Sequence, residues 1–128
     1  MELENDCADV LADKGYQVHQ NPSSTEIGSA RRHTGDSGAG EKEPDYLIEG
    51  HVFDCYSPST RIPVRNVWSQ VRNKVDKRQT ERVVINLKDW QGDPTALQRQ
   101  FDQWPIDGLK EVIVVTRSGT IHEIARRD

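Results

Sequence analysis

Val112-Ile113-Val114-Val115 is the longest uninterrupted apolar run in the chain, and Arg82-Val83-Val84-Ile85-Asn86-Leu87 nearly matches it. A strand with one face in water alternates apolar and polar residues. A run without alternation must be covered on both faces. The two runs therefore predict buried strands at 82–87 and 110–116, in a sheet that carries other layers of structure. Both fall far short of the ~20 apolar residues that span a bilayer, so the sequence predicts no membrane segment. With 128 residues there is room for a single domain. Charged residues reach 30%, but the apolar runs argue against a disordered chain.

The remaining elements follow from periodicity. Leu3, Cys7, Val10 and Leu11 recur at helical spacing and predict a helix over 2–14, stopped by Gly15. Residues 16–20 alternate as a short strand. Residues 21–43 hold Pro22, four glycines and Ile27 as the lone large aliphatic residue, and they predict a long flexible loop. Residues 44–56 read as two strands joined at Glu49-Gly50. Val64, Val67, Trp68, Val71 and Val75 mark one face of a helix over 64–79. Asp93-Pro94 has the form of a helix N-cap and first position, with a helix to Gln103. Ser118-Gly119 turns into a last strand from Ile121 to Ile124. The order α-β-β-β-α-β-α-β-β implies an α/β (α+β) domain, a mixed central sheet flanked by helices.

Charge is unevenly spread. The net charge is −4, yet residues 61–82 carry seven basic against two acidic side chains. Residues 1–60 carry four basic against twelve acidic ones. The basic segment is either a solvated helix face or a surface for phosphates, with Arg61, Arg65, Arg72, Lys77 and Arg78 as its candidates. The N-terminus is acidic and has no apolar stretch of the signal-peptide kind. Cys7 and Cys55 fit no zinc or redox spacing and are read as buried thiols. The four histidines lack zinc spacing, and the glycine-rich stretch 35–40 lacks the flanks of a phosphate loop. Trp68, Trp90 and Trp104 are read as core or platform residues rather than base-stacking ones.

The hairpin holds the pattern with the most chemical content. If Glu49 and Gly50 are the turn, Ile48 opposes His51 and Tyr46 opposes Phe53. Asp45 then opposes Asp54. Two carboxylates set opposite each other repel unless something compensates. A divalent cation compensates well, since hard cations take carboxylate oxygens. Alternatively, Asp45 only caps the strand and Asp54 pairs with an arginine of the 61–82 segment. Lys74 falls on the flank of the helical stripe. It either snorkels there or reaches over the sheet edge to stabilise developing negative charge.

The runs Pro44-Asp45-Tyr46-Leu47-Ile48-Glu49-Gly50 and Val52-Phe53-Asp54-Cys55-Tyr56 resemble the C-terminal nuclease domains of contact-dependent growth inhibition toxins. So do Gln79 to Leu87 with Asp89-Trp90, Gln100 to Pro105, Gly108 to Val112, and Gly15-Tyr16-Gln17-Val18 before Gln20-Asn21-Pro22. The resemblance spans nearly the whole chain except about residues 23–43. It implies a fold like the PD-(D/E)XK restriction-endonuclease superfamily and a metal-dependent cleavage of tRNA. It also implies Mg2+ as the foremost cofactor, with Zn2+ or Mn2+ as alternatives. The implied partners are the tRNA and a cognate immunity protein, the domain being a monomer or a 1:1 complex with that inhibitor. The implied setting is the C-terminal part of a secreted or cell-surface toxin, delivered into the cytoplasm of target bacteria.

By motif, Asp45 and Asp54 take the two acidic metal-binding positions and Lys74 the lysine role. Glu4 takes an acidic role on the first helix, with Glu2 and Asp6 close by. Tyr56, not lysine, stands two residues after Asp54, which departs from the superfamily pattern. Two other readings remain: a DNA endonuclease of the same fold, and a non-catalytic module whose acidic hairpin docks a protein.

Overall fold

A computed structural model describes residues 2–20, 22–34, 46–77 and 80–126, with the side chains of 2–6 and 24 left out. The described elements are α1 (Glu2–Asp13), β1 (Val18–Gln20), α2 (Ser24–Thr34), β2 (Tyr46–Ile48), β3 (His51–Tyr56), α3 (Val64–Asp76), β4 (Arg82–Asn86), α4 (Pro94–Gln103), β5 (Glu111–Val115) and β6 (Ile121–Arg126). The six strands form one sheet in the order β1-β2-β3-β4-β5-β6, so each strand pairs with its neighbours in sequence.

The sheet is mixed. The pairs β1/β2, β2/β3 and β5/β6 are antiparallel, whereas β3/β4 and β4/β5 are parallel. Parallel neighbours need a crossover, and α3 and α4 supply the two crossovers. The parallel strands β4 and β5 are buried along their whole length, as their unbroken apolar runs require.

Alternation along the strands divides the core in two. Val83, Ile85, Val112 and Val114 pack on one face with Val67, Trp68, Val71 and Val75 of α3 and Leu97 and Phe101 of α4. Val84, Ile113 and Val115 pack on the other face with Cys7, Ala8 and Leu11 of α1 and with Tyr46, Ile48 and Phe53. Burying each large aliphatic side chain of these sets contributes roughly 1.5–3 kcal/mol.

The hairpin has the expected register: Ile48↔His51, Leu47↔Val52 and Tyr46↔Phe53. Its turn residues Glu49 and Gly50 have φ of 51° and 81°. Positive φ at both positions matches the twist of the flanking strands, but a glutamate there is strained. Two contacts with Gln17 compensate. The Glu49 N–H donates to the Gln17 carbonyl at 2.8 Å, and Gln17 N–H donates to Glu49 Oε1 at 3.0 Å. The turn is thereby tied to the start of β1.

The loop expected over 21–43 is corrected by α2, which occupies Ser24–Thr34. One large aliphatic residue suffices for this helix because its start is capped. Glu26 N–H donates to Ser23 Oγ at 3.2 Å, and Ser23 N–H donates to Glu26 Oε1 at 2.9 Å. This reciprocal pair is a capping box. Ile27 is the buried anchor, and α2 packs against β3. The rest of the expected loop, residues 21 and 35–43, lies outside the described residues.

Smaller differences concern bounds and burial. Helix α3 ends at Asp76, with Lys77 as its C-cap, short of the expected 79, and residues 78 and 79 lie outside the described set. Strand β6 runs two residues beyond Ile124. Cys7 is buried as expected, but Cys55 is only half-buried, because it sits towards the end of β3. Arg82, counted in the basic segment, is buried and ion-paired with Glu111, its register partner on β5. It adds nothing to a basic surface.

Candidate functional site

Asp54 lies in the middle of β3, on the parity of Tyr56, which packs with the α3 and α4 layer. It is 4% exposed. A carboxylate so deep in a strand needs a partner. Lys74 provides it from the helix above: its Nζ lies 2.8 Å from Asp54 Oδ2. Lys74 sits one position before the buried Val75, so its stem follows the border of the apolar stripe while its head turns in over β3. The sequence left the partner of Asp54 open, and a lysine of the same segment makes an ion pair with it. The lysine side chain retains 19% exposure, so the pair opens to solvent on the lysine side.

Thr80 holds the strand that flanks this pair. Its hydroxyl accepts Arg82 N–H at 3.0 Å and lies 2.7 Å from the Arg82 carbonyl and 3.2 Å from the Val52 carbonyl. Thr80 is itself buried, so it fastens the start of β4 to β3 where Asp54 pairs with Val83. Tyr56 stands two residues after Asp54 on the same strand, half-buried. Burial pushes its hydroxyl above the ordinary 10.0, so it stays a neutral hydrogen-bonding group.

The other expected site residues fall as follows. Asp45 and Arg78 lie outside the described residues. Glu4 is in the first half of α1, which packs through Cys7, Ala8 and Leu11 on the opposite face from α3, and its side chain lies outside the described set. Arg61, Arg65, Arg72 and Lys77 are all exposed. Among the described residues, no group of three or more His, Cys, Asp or Glu side chains could hold a metal ion.

Two features escaped the sequence reading. One is the ion pair between His19 Nε2 and Glu26 Oε2, at 2.8 Å, which joins β1 to the start of α2. Glu26 is held below its ordinary 4.5, first by the Ser23 backbone N–H, then by the Ser23 side chain and by His19. The motif Ser23-Ser24-Thr25-Glu26 has the spacing of a capping box, which sets Glu26 in the first turn of α2. The other is the exposure of Trp104: Trp68 and Trp90 are core, as expected, while Trp104 is 46% exposed and lies against Arg65 and Trp68 of α3.

What this arrangement defines is an α+β domain with a buried acid–lysine pair on a mixed sheet, and the chain has known relatives. Residues 42–121 match the family of the contact-dependent growth inhibition CdiA C-terminal domain, and the chain belongs to that family. It is 41% identical over 118 residues to tRNA nuclease CdiA-2 of Burkholderia pseudomallei (strain 1026b). That match takes in 92% of this chain but 3% of the relative, so the chain spans a small part of that protein's length. A solved CdiA-CT/CdiI toxin and immunity complex from Burkholderia pseudomallei contains a similar chain, with a TM-score of 0.78 and 40% identity. The likeness covers 95% of this chain and 81% of that one. No described helix is long and apolar enough to cross a membrane.

Proposed function

We propose that this domain is a toxin that cleaves tRNA by phosphodiester hydrolysis, and that a cognate immunity protein neutralises it. The observation that carries the reading is the Asp54–Lys74 pair, since the two residues given catalytic roles by motif meet at 2.8 Å from different layers of the fold. Family membership and the named activity of the CdiA-2 relative support the same substrate. The similar solved chain is a toxin in complex with its immunity protein, which supports such a partner here. Delivery into target bacteria as the C-terminal part of a larger toxin belongs to the same proposal, as does a relation to the PD-(D/E)XK nucleases.

In this mechanism water gives up a proton to solvent as its oxygen bonds to phosphorus, and the ester bond to the leaving sugar oxygen breaks. The leaving oxygen takes up a proton from solvent or from a nearby acid. The Lys74 ammonium faces the phosphate and stabilises the charge that builds on its oxygens. Asp54 holds that ammonium in place and presents a hard oxygen donor beside it. Asp54 and Asp45 are the residues that would hold a divalent cation, Mg2+ foremost. Such an ion, when bound, polarises the phosphate and acidifies water. Arg61, Arg65, Arg72, Lys77 and Arg78 would grip backbone phosphates, as shape-based recognition of folded RNA requires.

The test is incubation of the domain with total tRNA, with and without a chelator, followed by mapping of the new ends. Discrete tRNA fragments that vanish with chelator are expected. Intact tRNA beside cut plasmid would instead place the activity on DNA.

A further inference from the structure

Trp104 is the one large hydrophobic side chain strongly exposed among the described residues. It forms the C-cap of α4 and stands edge-to-face with Trp68 of α3, with ring centroids 5.4 Å apart and planes at 81°. Its backbone carbonyl accepts the Trp68 indole N–H at 2.8 Å, so the backbone here is anchored while the ring is offered to solvent. The Arg65 guanidinium lies over the Trp104 ring at 5.3 Å, and that of Arg72 over Trp68 at 5.6 Å. A hollow of about 340 Å3 beside them is lined by Trp68, Arg72, Asp76, Trp104, Ile106 and Asp107.

We propose that this ledge is an RNA-stacking subsite, in which an unpaired base of the substrate stacks on Trp104 and its phosphate meets Arg65 and Arg72. The proposal rests on the reading that the substrate is RNA. A guanidinium is flat and already marks the ring face that a base would take. Base–aromatic stacking is stronger than an exposed cation–π contact. A base therefore displaces Arg65 with a net gain, and the freed guanidinium remains within reach of the phosphate. Asp76 and Asp107 disfavour a phosphate inside the hollow but accept hydrogen bonds from a ribose hydroxyl or a base amino group.

The position suits the proposed reaction. Arg72 and Lys74 are two residues apart, about 200° around the helix, so the ledge and the ion pair flank α3 on its two sides. Between them the outer face of α3 presents exposed Asn66, Gln70, Asn73 and Lys77, with Asp76 beside Arg72 as its one acidic residue. A single strand can cross this face within the ~10–12 Å width of a helix. RNA is favoured over a protein occupant because each indole already has a guanidinium over its face, which joins an aromatic platform to a phosphate-binding cation.

Binding is measured apart from cleavage by using the Asp54→Asn protein in chelator. The probes are a short single-stranded RNA and total tRNA, read by tryptophan emission and by anisotropy of labelled RNA. RNA should quench the emission. Trp104→Ala should weaken binding of both probes about tenfold and remove most of the quench, while Trp104→Phe keeps most of the affinity. Arg65→Ala should lower the slope of log affinity against log salt by about 0.7, one phosphate's worth. Unchanged RNA affinity in Trp104→Ala overturns the ledge, even if the wild type cuts tRNA. Loss of inhibitor binding alone in that variant overturns it in favour of a protein surface. A Trp104-dependent quench in a domain that cuts no tRNA would keep the ledge and sink the proposed reaction.

Discussion

Lys74 Nζ stands 2.8 Å from Asp54 Oδ2, although one residue rides on the helix layer and the other in the strand beneath it. The pair is both a structural joint and the proposed chemical centre, and the two roles separate by mutation. Lys74→Met takes the ammonium away from a nearly buried carboxylate. Breaking such a pair costs up to about 3–5 kcal/mol, less here because the lysine is partly solvated. Asp54→Asn combined with Lys74→Met should recover much of the loss. Urea melts of the two single variants and the double variant check this, and strict additivity would dissolve the coupling.

The same pair sets the catalytic expectation. Asp54→Asn should reduce tRNA cleavage to near background with the far-UV spectrum unchanged. Lys74→Ala should lower kcat by roughly 10²–10³, the usual cost of removing one donor that stabilises developing negative charge. Full activity in either variant would remove that residue from the mechanism.

Thr80 offers a test of scaffolding. Thr80→Val keeps the shape but leaves the Arg82 N–H without the hydroxyl it donates to. An unsatisfied buried donor costs about 1–3 kcal/mol. The denaturant midpoint should fall accordingly with the m-value unchanged. A variant as stable as the wild type would show that the hydroxyl is replaceable there.

Tyr56 and Glu26 give opposite pH signatures. Burial raises the Tyr56 hydroxyl above 10.0 in the folded chain. Above pH 10 the unfolded chain loses this proton first and holds fewer protons, so stability falls as pH rises through the window up to the folded value. Tyr56→Phe should flatten that alkaline decline. Glu26 is shifted the other way, below 4.5. Its contribution is present above the unfolded value and is lost as pH falls through the folded one, so acid should release the start of α2 first. The protection factor of the Glu26 amide, measured downward from neutral pH and corrected for the intrinsic rate, should fall before those of α3.

These elements also show what was legible beforehand. The valines of α3 repeat at helical spacing and β4 and β5 are unbroken apolar runs, so pattern alone located them. The hairpin register followed from Glu49-Gly50, a weaker turn than Asn-Gly, because the apolar parity of Tyr46, Ile48 and Phe53 agreed with it. Helix α2 was missed because its one large aliphatic residue, Ile27, makes no stripe. Its stability comes from the Ser23–Glu26 cap and from packing on β3, and only the cap is local in sequence. The burial of Arg82 was hidden because its partner Glu111 arrives only through the parallel register. Lys74 could be placed on a flank of its helix, but whether its head met Asp54 depended on the crossover that sets α3 over β3. The exposure of Trp104 likewise depends on how α4 ends against α3, which no local pattern records.

The basic face of α3 also bears on the proposed inhibitor. Arg65, Arg72 and Lys77 are exposed in a chain whose net charge is −4, so the face is a local positive field in an acidic molecule. Arg72 is only loosely held by Asp76, at 3.5 Å between two half-exposed side chains. A protein that blocks phosphate access to Lys74 must cover or border this face. An acidic surface would be steered to it, since complementary charge acts mainly on the association rate. Arg72→Glu with Lys77→Glu should therefore slow association several-fold at low salt and flatten its salt dependence, while dissociation changes less. Stopped-flow association with the cognate immunity protein at two ionic strengths measures this. Wild-type association at both salts would place the docking surface away from α3.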